Sequence, residues 1–134
     1  VLRQHLYDGY RLPVAARPAP ASLSPQVARR LCEYIESALD QRITLAELAT
    51  LADMSVHQLL IAFRRTFGIT PAQYILAQRL RRARWYLLNR NEDITGIALA
   101  CGFASHSHLS AAFKRDTGIT PRQFREGLRM RPLD

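Results

Sequence analysis

An all-α fold is predicted by three features of this 134-residue chain. From Ser24 onward apolar residues recur at helical spacing, and no segment sustains the strict alternation of a half-buried strand. A repeat supplies the third: Phe63-Arg64-Arg65-Thr66-Phe67-Gly68-Ile69-Thr70-Pro71-Ala72-Gln73-Tyr74 returns as Phe113-Lys114-Arg115-Asp116-Thr117-Gly118-Ile119-Thr120-Pro121-Arg122-Gln123-Phe124, with seven of twelve positions identical. Each copy reads as a helix stop followed by a helix start. Two copies are too few for a solenoid, which points to a duplicated small module.

The first helix starts at Ser24, which can cap it, with Pro25 suited to the first turn and Val27, Leu31, Tyr34, Ile35 and Leu39 on one stripe. Six more are expected at 44–52, 55–67, 71–88, 94–101, 105–117 and 121–129, about seven in all. At the repeat, Gly68 and Gly118 can take the left-handed conformation that ends a helix. Thr70 and Thr120 then cap the next one, Pro71 and Pro121 need no donor at its first position, and Gln73 and Gln123 complete a capping box. Ahead of the first helix, Pro13, Pro18 and Pro20 among alanines make Leu12 to Ser22 an extended linker. The chain opens without methionine and with Leu2, Leu6 and Tyr10 at apolar spacing. Residues 1–23 are therefore expected to be a linker and the end of an upstream domain, 24–129 the folded domain and 130–134 a tail.

Composition is that of an ordinary globular protein, 48% hydrophobic and 22% charged. No apolar run approaches the roughly 20 residues of a membrane span. Val1-Leu2-Arg3-Gln4-His5 lacks a signal-peptide core, so the cytoplasm is the expected location, with no membrane partner. Cys32 and Cys101 have no CxxC partner and read as reduced, packed thiols. The net charge is +8, and of 19 basic residues only Lys114 is a lysine. Residues 1–62 hold six basic and six acidic groups; residues 63–134 hold thirteen and five. The second part wants an anionic partner, and charge alone leaves nucleic acid and acidic membrane both open.

Ahead of each repeat lie a short helix, a tight turn and a second helix, giving two tandem helix-turn-helix subdomains joined by the helix at 71–88. In the first, Leu45, Leu48, Ala49 and Ala52 form the apolar side, Asp53-Met54 the turn, Ser55 and Gln58 a capping box, and Leu59, Ala62 and Phe63 the inward face. In the second, Ile94, Ile97, Ala98 and Cys101 are followed by Gly102 at the turn, Phe103 as an apolar plug, and Leu109, Ala112 and Phe113 facing inward. The second turn is expected to be one residue longer.

The run Ile94-Thr95-Gly96-Ile97-Ala98-Leu99-Ala100-Cys101-Gly102-Phe103-Ala104-Ser105-His106-Ser107-His108-Leu109-Ser110-Ala111-Ala112-Phe113-Lys114-Arg115 resembles the second motif of the AraC/XylS family of bacterial transcription regulators, and Pro71, Tyr74, Arg79-Leu80, Ala83 and Leu87-Leu88 resemble its central connecting helix. The likeness covers residues from about 24 to 129. It implies sequence-specific binding of double-stranded DNA through a C-terminal domain, with the two recognition helices entering successive major-groove segments. RNA polymerase is then a candidate partner, and effector sensing and dimerisation would belong to a domain outside this chain. A connecting helix of about 18 residues spans roughly 27 Å, near the roughly 34 Å between successive groove segments.

Helical spacing directs His57, Leu60, Ile61 and Arg64 away from Leu59 and Phe63, and Ser107, Ser110, Ala111 and Lys114 likewise, with His106 near the start of its helix. The expected base contacts are His57, Leu60, Ile61, His106, Ser107, Ser110 and Ala111. Phosphate contacts are expected from Ser55, Arg64, Arg65, Thr95, Ser105, Lys114 and Arg115. Arg79, Arg81, Arg82 and Arg84 on the connecting helix are either further phosphate contacts or a plain solvated face. Family members commonly carry arginine, the usual reader of guanine, where this chain has Ile61 and Ala111. Two readings stay open: Leu60 and Ile61 meet thymine methyls, or they pack against protein. No catalytic constellation and no cofactor or metal is expected; His106 and His108, two apart, do not share a helix face.

Overall fold

The computed structural model describes residues 22–130, with the side chains of 128–130 left aside. The proline-rich segment to residue 21, the Leu2, Leu6 and Tyr10 stretch and residues 131–134 lie outside the described residues. Within them the order is α1 (Pro25–Ser37), α2 (Leu45–Ala52), α3 (Val56–Phe67), α4 (Pro71–Asn89), α5 (Ile94–Ala100), α6 (His106–Thr117) and α7 (Pro121–Met130), with no strand among the described residues. No single helix among them is long and apolar enough to cross a membrane.

The chain divides into two compact units. The first holds α1, α2, α3 and the opening turn of α4, up to Tyr74. Ser24 sits in extended backbone, and its hydroxyl accepts the Val27 N–H at 3.1 Å, so α1 starts where a donor would otherwise be orphaned. The helix stops at Ser37, so Leu39, expected on its stripe, lies beyond the last turn. Order also reaches further back than the cap. Leu23 is buried and donates its N–H to Thr66 Oγ1 at 2.9 Å, while that hydroxyl donates to the Ala62 carbonyl.

Thr44 and Glu47 form a reciprocal capping box at the start of α2, which a sharp break of 81° separates from α3. Leu48, Ala49 and Ala52 are buried. Leu45, expected beside them, is 37% exposed because the first residue of so short a helix points past the core. On α3, Leu59, Ala62 and Phe63 face inward. The Phe63 ring meets Phe67 at 4.5 Å and Tyr74 edge-on at 5.6 Å, favourable aromatic geometry. The Tyr74 hydroxyl reaches Cys32 Sγ at 3.2 Å.

The second unit combines Leu39–Arg42 with the chain from Ile75 onward. Its core joins Leu80, Ala83 and Leu87 of α4, Ile94, Ile97 and Ala98 of α5, Cys101 and Phe103 of the turn, and Leu109, Ala112 and Phe113 of α6. Phe113 meets Phe124 of α7 edge-on at 5.4 Å, the counterpart of Phe63 and Tyr74. Arg125 of α7 donates to the Leu87, Arg90 and Glu92 carbonyls at 3.4, 3.1 and 2.8 Å, gathering carbonyls of the last turn of α4 and of the residues that follow it. Arg79 does the same for Leu39 and Gln41, at 3.0 and 2.7 Å. Its burial lowers the guanidinium pKa from the ordinary value. Two of the Arg79 guanidinium nitrogens are thus committed to carbonyls, and its half-buried side chain is not a plain solvated face.

Candidate nucleic-acid interface

Helix α3 is set in place by local chemistry. Asp53 ends α2 in the left-handed region at φ 59°, and Asp53 and Met54 N–H groups return to the Thr50 and Ala49 carbonyls. Ser55 then caps α3: its hydroxyl accepts the Gln58 N–H at 3.0 Å, and Gln58 Oε1 accepts the Ser55 N–H at 3.0 Å. With Leu59, Ala62 and Phe63 fixed in the core, Val56, His57, Leu60, Ile61, Arg64 and Arg65 are all exposed.

Helix α6 reaches the same state by a different start. Gly102 takes the Asp53 position at φ 93°, and its N–H and that of Phe103 return to Leu99 and Ala98, matching Asp53 and Met54. The intervening turn runs over residues 101–105 against 53–55 in the first unit. One of the two additional residues arises because α5 ends at Ala100, leaving Cys101 as its cap. The other is a true insertion, Ala104, between the counterparts of Met54 and Ser55. An inserted residue brings one more backbone N–H to satisfy, and His108 Nδ1 accepts it at 3.3 Å with its ring edge-on to Phe103. Ser105 still caps, accepting the His108 N–H at 3.1 Å.

Burial sorts the expected contact residues. Ser55, His57, Leu60, Ile61, Arg64, Arg65, Thr95, Ser105, His106, Ser107, Ala111, Lys114 and Arg115 are exposed, while Ser110 is half-buried. Ser55 and Ser105 each accept a backbone N–H, which leaves the hydroxyl proton to donate elsewhere. Thr95 is one residue inside α5, whose cap is Asp93, accepting the Gly96 N–H at 2.8 Å. Arg64 and Arg65 close α3 and Lys114 and Arg115 close α6, where positive charge also suits the carbonyl end of the helix. Of the connecting-helix arginines, Arg84 pairs with Asp116 at 3.6 Å and Arg81 is exposed. Two features escaped the sequence reading. Val56 belongs to the exposed apolar set, legible as the residue four before Leu60. His108 acts in the turn, legible only once Ala104 is recognised as an insertion.

The family described as a helix-turn-helix domain matches residues 48–127, more than half of the chain. A solved AraC-type DNA-binding domain protein from Chromobacterium violaceum superposes with a TM-score of 0.72 at 30% identity, covering 81% of this chain and 96% of that one. This chain belongs to the AraC-type helix-turn-helix family. Within it, the DNA-binding domain of AdpA, solved in complex with a target DNA, gives a TM-score of 0.73 at 28% identity over 79% of this chain and 95% of that one. The probable transcriptional regulator LumQ of Photobacterium leiognathi is 37% identical over 91 residues, which is 68% of this chain and 37% of LumQ. The chain thus spans little more than a third of that regulator's length. Two helix-turn-helix units and the all-α architecture are the family's, and the curated relatives are named as transcription regulators, one of them also as a DNA repair enzyme.

Proposed function

We propose that this chain is the part of a bacterial transcription regulator that binds double-stranded DNA sequence-specifically, with α3 and α6 entering successive major-groove segments. The observation that carries it is that each unit presents one helix with its inner face locked in the core and an outer face closed by two basic residues, in a fold shared with a domain solved on its target DNA. In this reading His57, Leu60, Ile61, His106, Ser107, Ser110 and Ala111 meet base edges. Ser55, Arg64, Arg65, Thr95, Ser105, Lys114 and Arg115 position the helices on phosphates. The domain works by binding and not by catalysis, in the cytoplasm. RNA polymerase contact and effector sensing belong to the regulator as a whole, the latter through a domain outside this chain.

The test is selection of duplexes from a random pool, followed by titration across salt. A selected duplex should bind about 10³-fold tighter than a scrambled one, with affinity falling steeply as salt rises. Replacing Lys114 by alanine should weaken binding about equally on every duplex and lower the salt slope by about 1. Salt-sensitive binding with no sequence preference would overturn the proposal.

A further inference from the structure

We infer that α3 reads the C5-methyl groups of pyrimidines, and that at those contacts it accepts 5-methylcytosine as it accepts thymine. This rests on the DNA reading above and narrows it to a chemical class of base.

Val56, Leu60 and Ile61 are 37, 36 and 42% exposed on one helix. Val56 and Leu60 lie one turn apart, and Ile61 stands about 100° further round the helix than Leu60, so the aliphatic patch flanks exposed His57 and Arg64 on both sides. The core does not account for them, because Leu59, Ala62 and Phe63 already fill the inner face. Of the polar groups beside them, His57 and Arg64 stay exposed, while one that reads another base is committed elsewhere. Gln58, whose amide can grip adenine in a two-pronged fork, has its Oε1 committed to the Ser55 N–H. The occupant of the patch follows from its surroundings: exposed Arg64 and Arg65 end the same helix, and the superposable AdpA domain is bound to DNA.

In the major groove thymine shows a methyl and an O4 acceptor, whereas cytosine shows an N4 donor and no methyl. An aliphatic side chain feels the methyl and has no group with which to tell O4 from N4. Thymine and 5-methylcytosine therefore present the same contact to Leu60 or Ile61, and uracil and cytosine the same deficit. Helix α6 offers no such patch, since His106, Ser110 and Ala111 stand at the positions of Val56, Leu60 and Ile61.

The probe is a duplex selected from the random pool with the full chain, resynthesised with uracil replacing one thymine at a time. Affinity should fall about fourfold for each methyl removed from the α3 contacts, the loss being concentrated in one segment of the footprint. At the sensitive positions a 5-methylcytosine·guanine pair should bind about fourfold tighter than a cytosine·guanine pair. Both differences should vanish in the triply substituted Val56→Ser, Leu60→Ser, Ile61→Ser protein, whose substitutions lie on the exposed face and whose fold is checked by circular dichroism. Sequence-specific binding indifferent to every uracil, or methyl sensitivity that survives the triple substitution, would overturn this inference and leave the DNA reading intact. Protection of a single groove segment with no α3 contribution would also overturn it and assign the patch to a protein partner. Failure to select any duplex would instead remove the DNA reading itself.

Discussion

Helices α3 and α6 bury the same residues and expose different ones. Leu59, Ala62 and Phe63 correspond to Leu109, Ala112 and Phe113, identical in all three places and all buried. On the outer sides, Val56, His57, Leu60, Ile61 and Arg64 correspond in sequence to His106, Ser107, half-buried Ser110, Ala111 and Lys114. Inward positions are constrained by volume and by contact with the neighbouring helix, where a change of one methylene is felt. Outward positions are free of that packing constraint, so two copies of one scaffold carry an aliphatic face and a polar, small-residue face over the same buried trio.

The turns differ as instructively as the faces. At Gly102 a Cβ would run into the Leu39 carbonyl oxygen and the Arg79 guanidinium, and φ is positive besides. Gly102→Ala should therefore lower stability by about 2–4 kcal/mol in urea denaturation, combining overpacking with left-handed strain. Asp53→Gly, at the matching place, should instead leave stability unchanged or raise it by up to about 1 kcal/mol. Equal losses at both turns would break the comparison. Smaller effects are expected at the helix starts: Ser55→Ala and Ser105→Ala should each cost about 1 kcal/mol. Ser55 should prove the costlier if its reciprocal bond with Gln58 matters, and thermal melts of both variants decide it.

The smallest effect near neutral pH concerns Cys101, which replaces the Ala52 of the first unit. Burial pushes this thiol up from 9.0 to about 11, with Glu92 adding to the shift and Arg82 opposing it. The folded state therefore keeps its proton where the unfolded chain has lost it. Its contribution is complete below about pH 9 and is lost as pH rises from about 9 to about 11. Stability measured across that range should decline, and Cys101→Ala should flatten the decline. An unchanged slope in that variant would place the alkaline sensitivity elsewhere.

Sequence pattern alone located the helices well, because their ends are written in local chemistry: Ser24, Ser55 and Ser105 cap where a hydroxyl precedes an apolar stripe, and Gly68, Gly102 and Gly118 stop helices where φ turns positive. What it missed was long-range. Nothing local to Arg79 announces that its partners are carbonyls some forty residues earlier, so spacing left it as either a phosphate contact or a solvated-face residue. Leu45 and Leu39 fit a helical stripe but fall at or past a helix end, where periodicity no longer determines burial. The outward set on α3 and α6 was legible from spacing, since the inward residues fix its complement. Val56 escaped only because a first-turn residue was not counted into that face.

Ala104 and His108 carry a lesson for recombining such proteins. A designer who moved the α6 sequence from His106 onward into the first unit would import an imidazole with no backbone N–H to receive, and would discard the Gln58 amide that Ser55 requires. The exchangeable cassette is therefore larger than the helix: it begins at the left-handed residue of the turn, Asp53 or Gly102, and closes at the glycine that ends the recognition helix. Reading specificity and folding instructions overlap along this stretch, and a graft that respects only the first inherits a defect in the second.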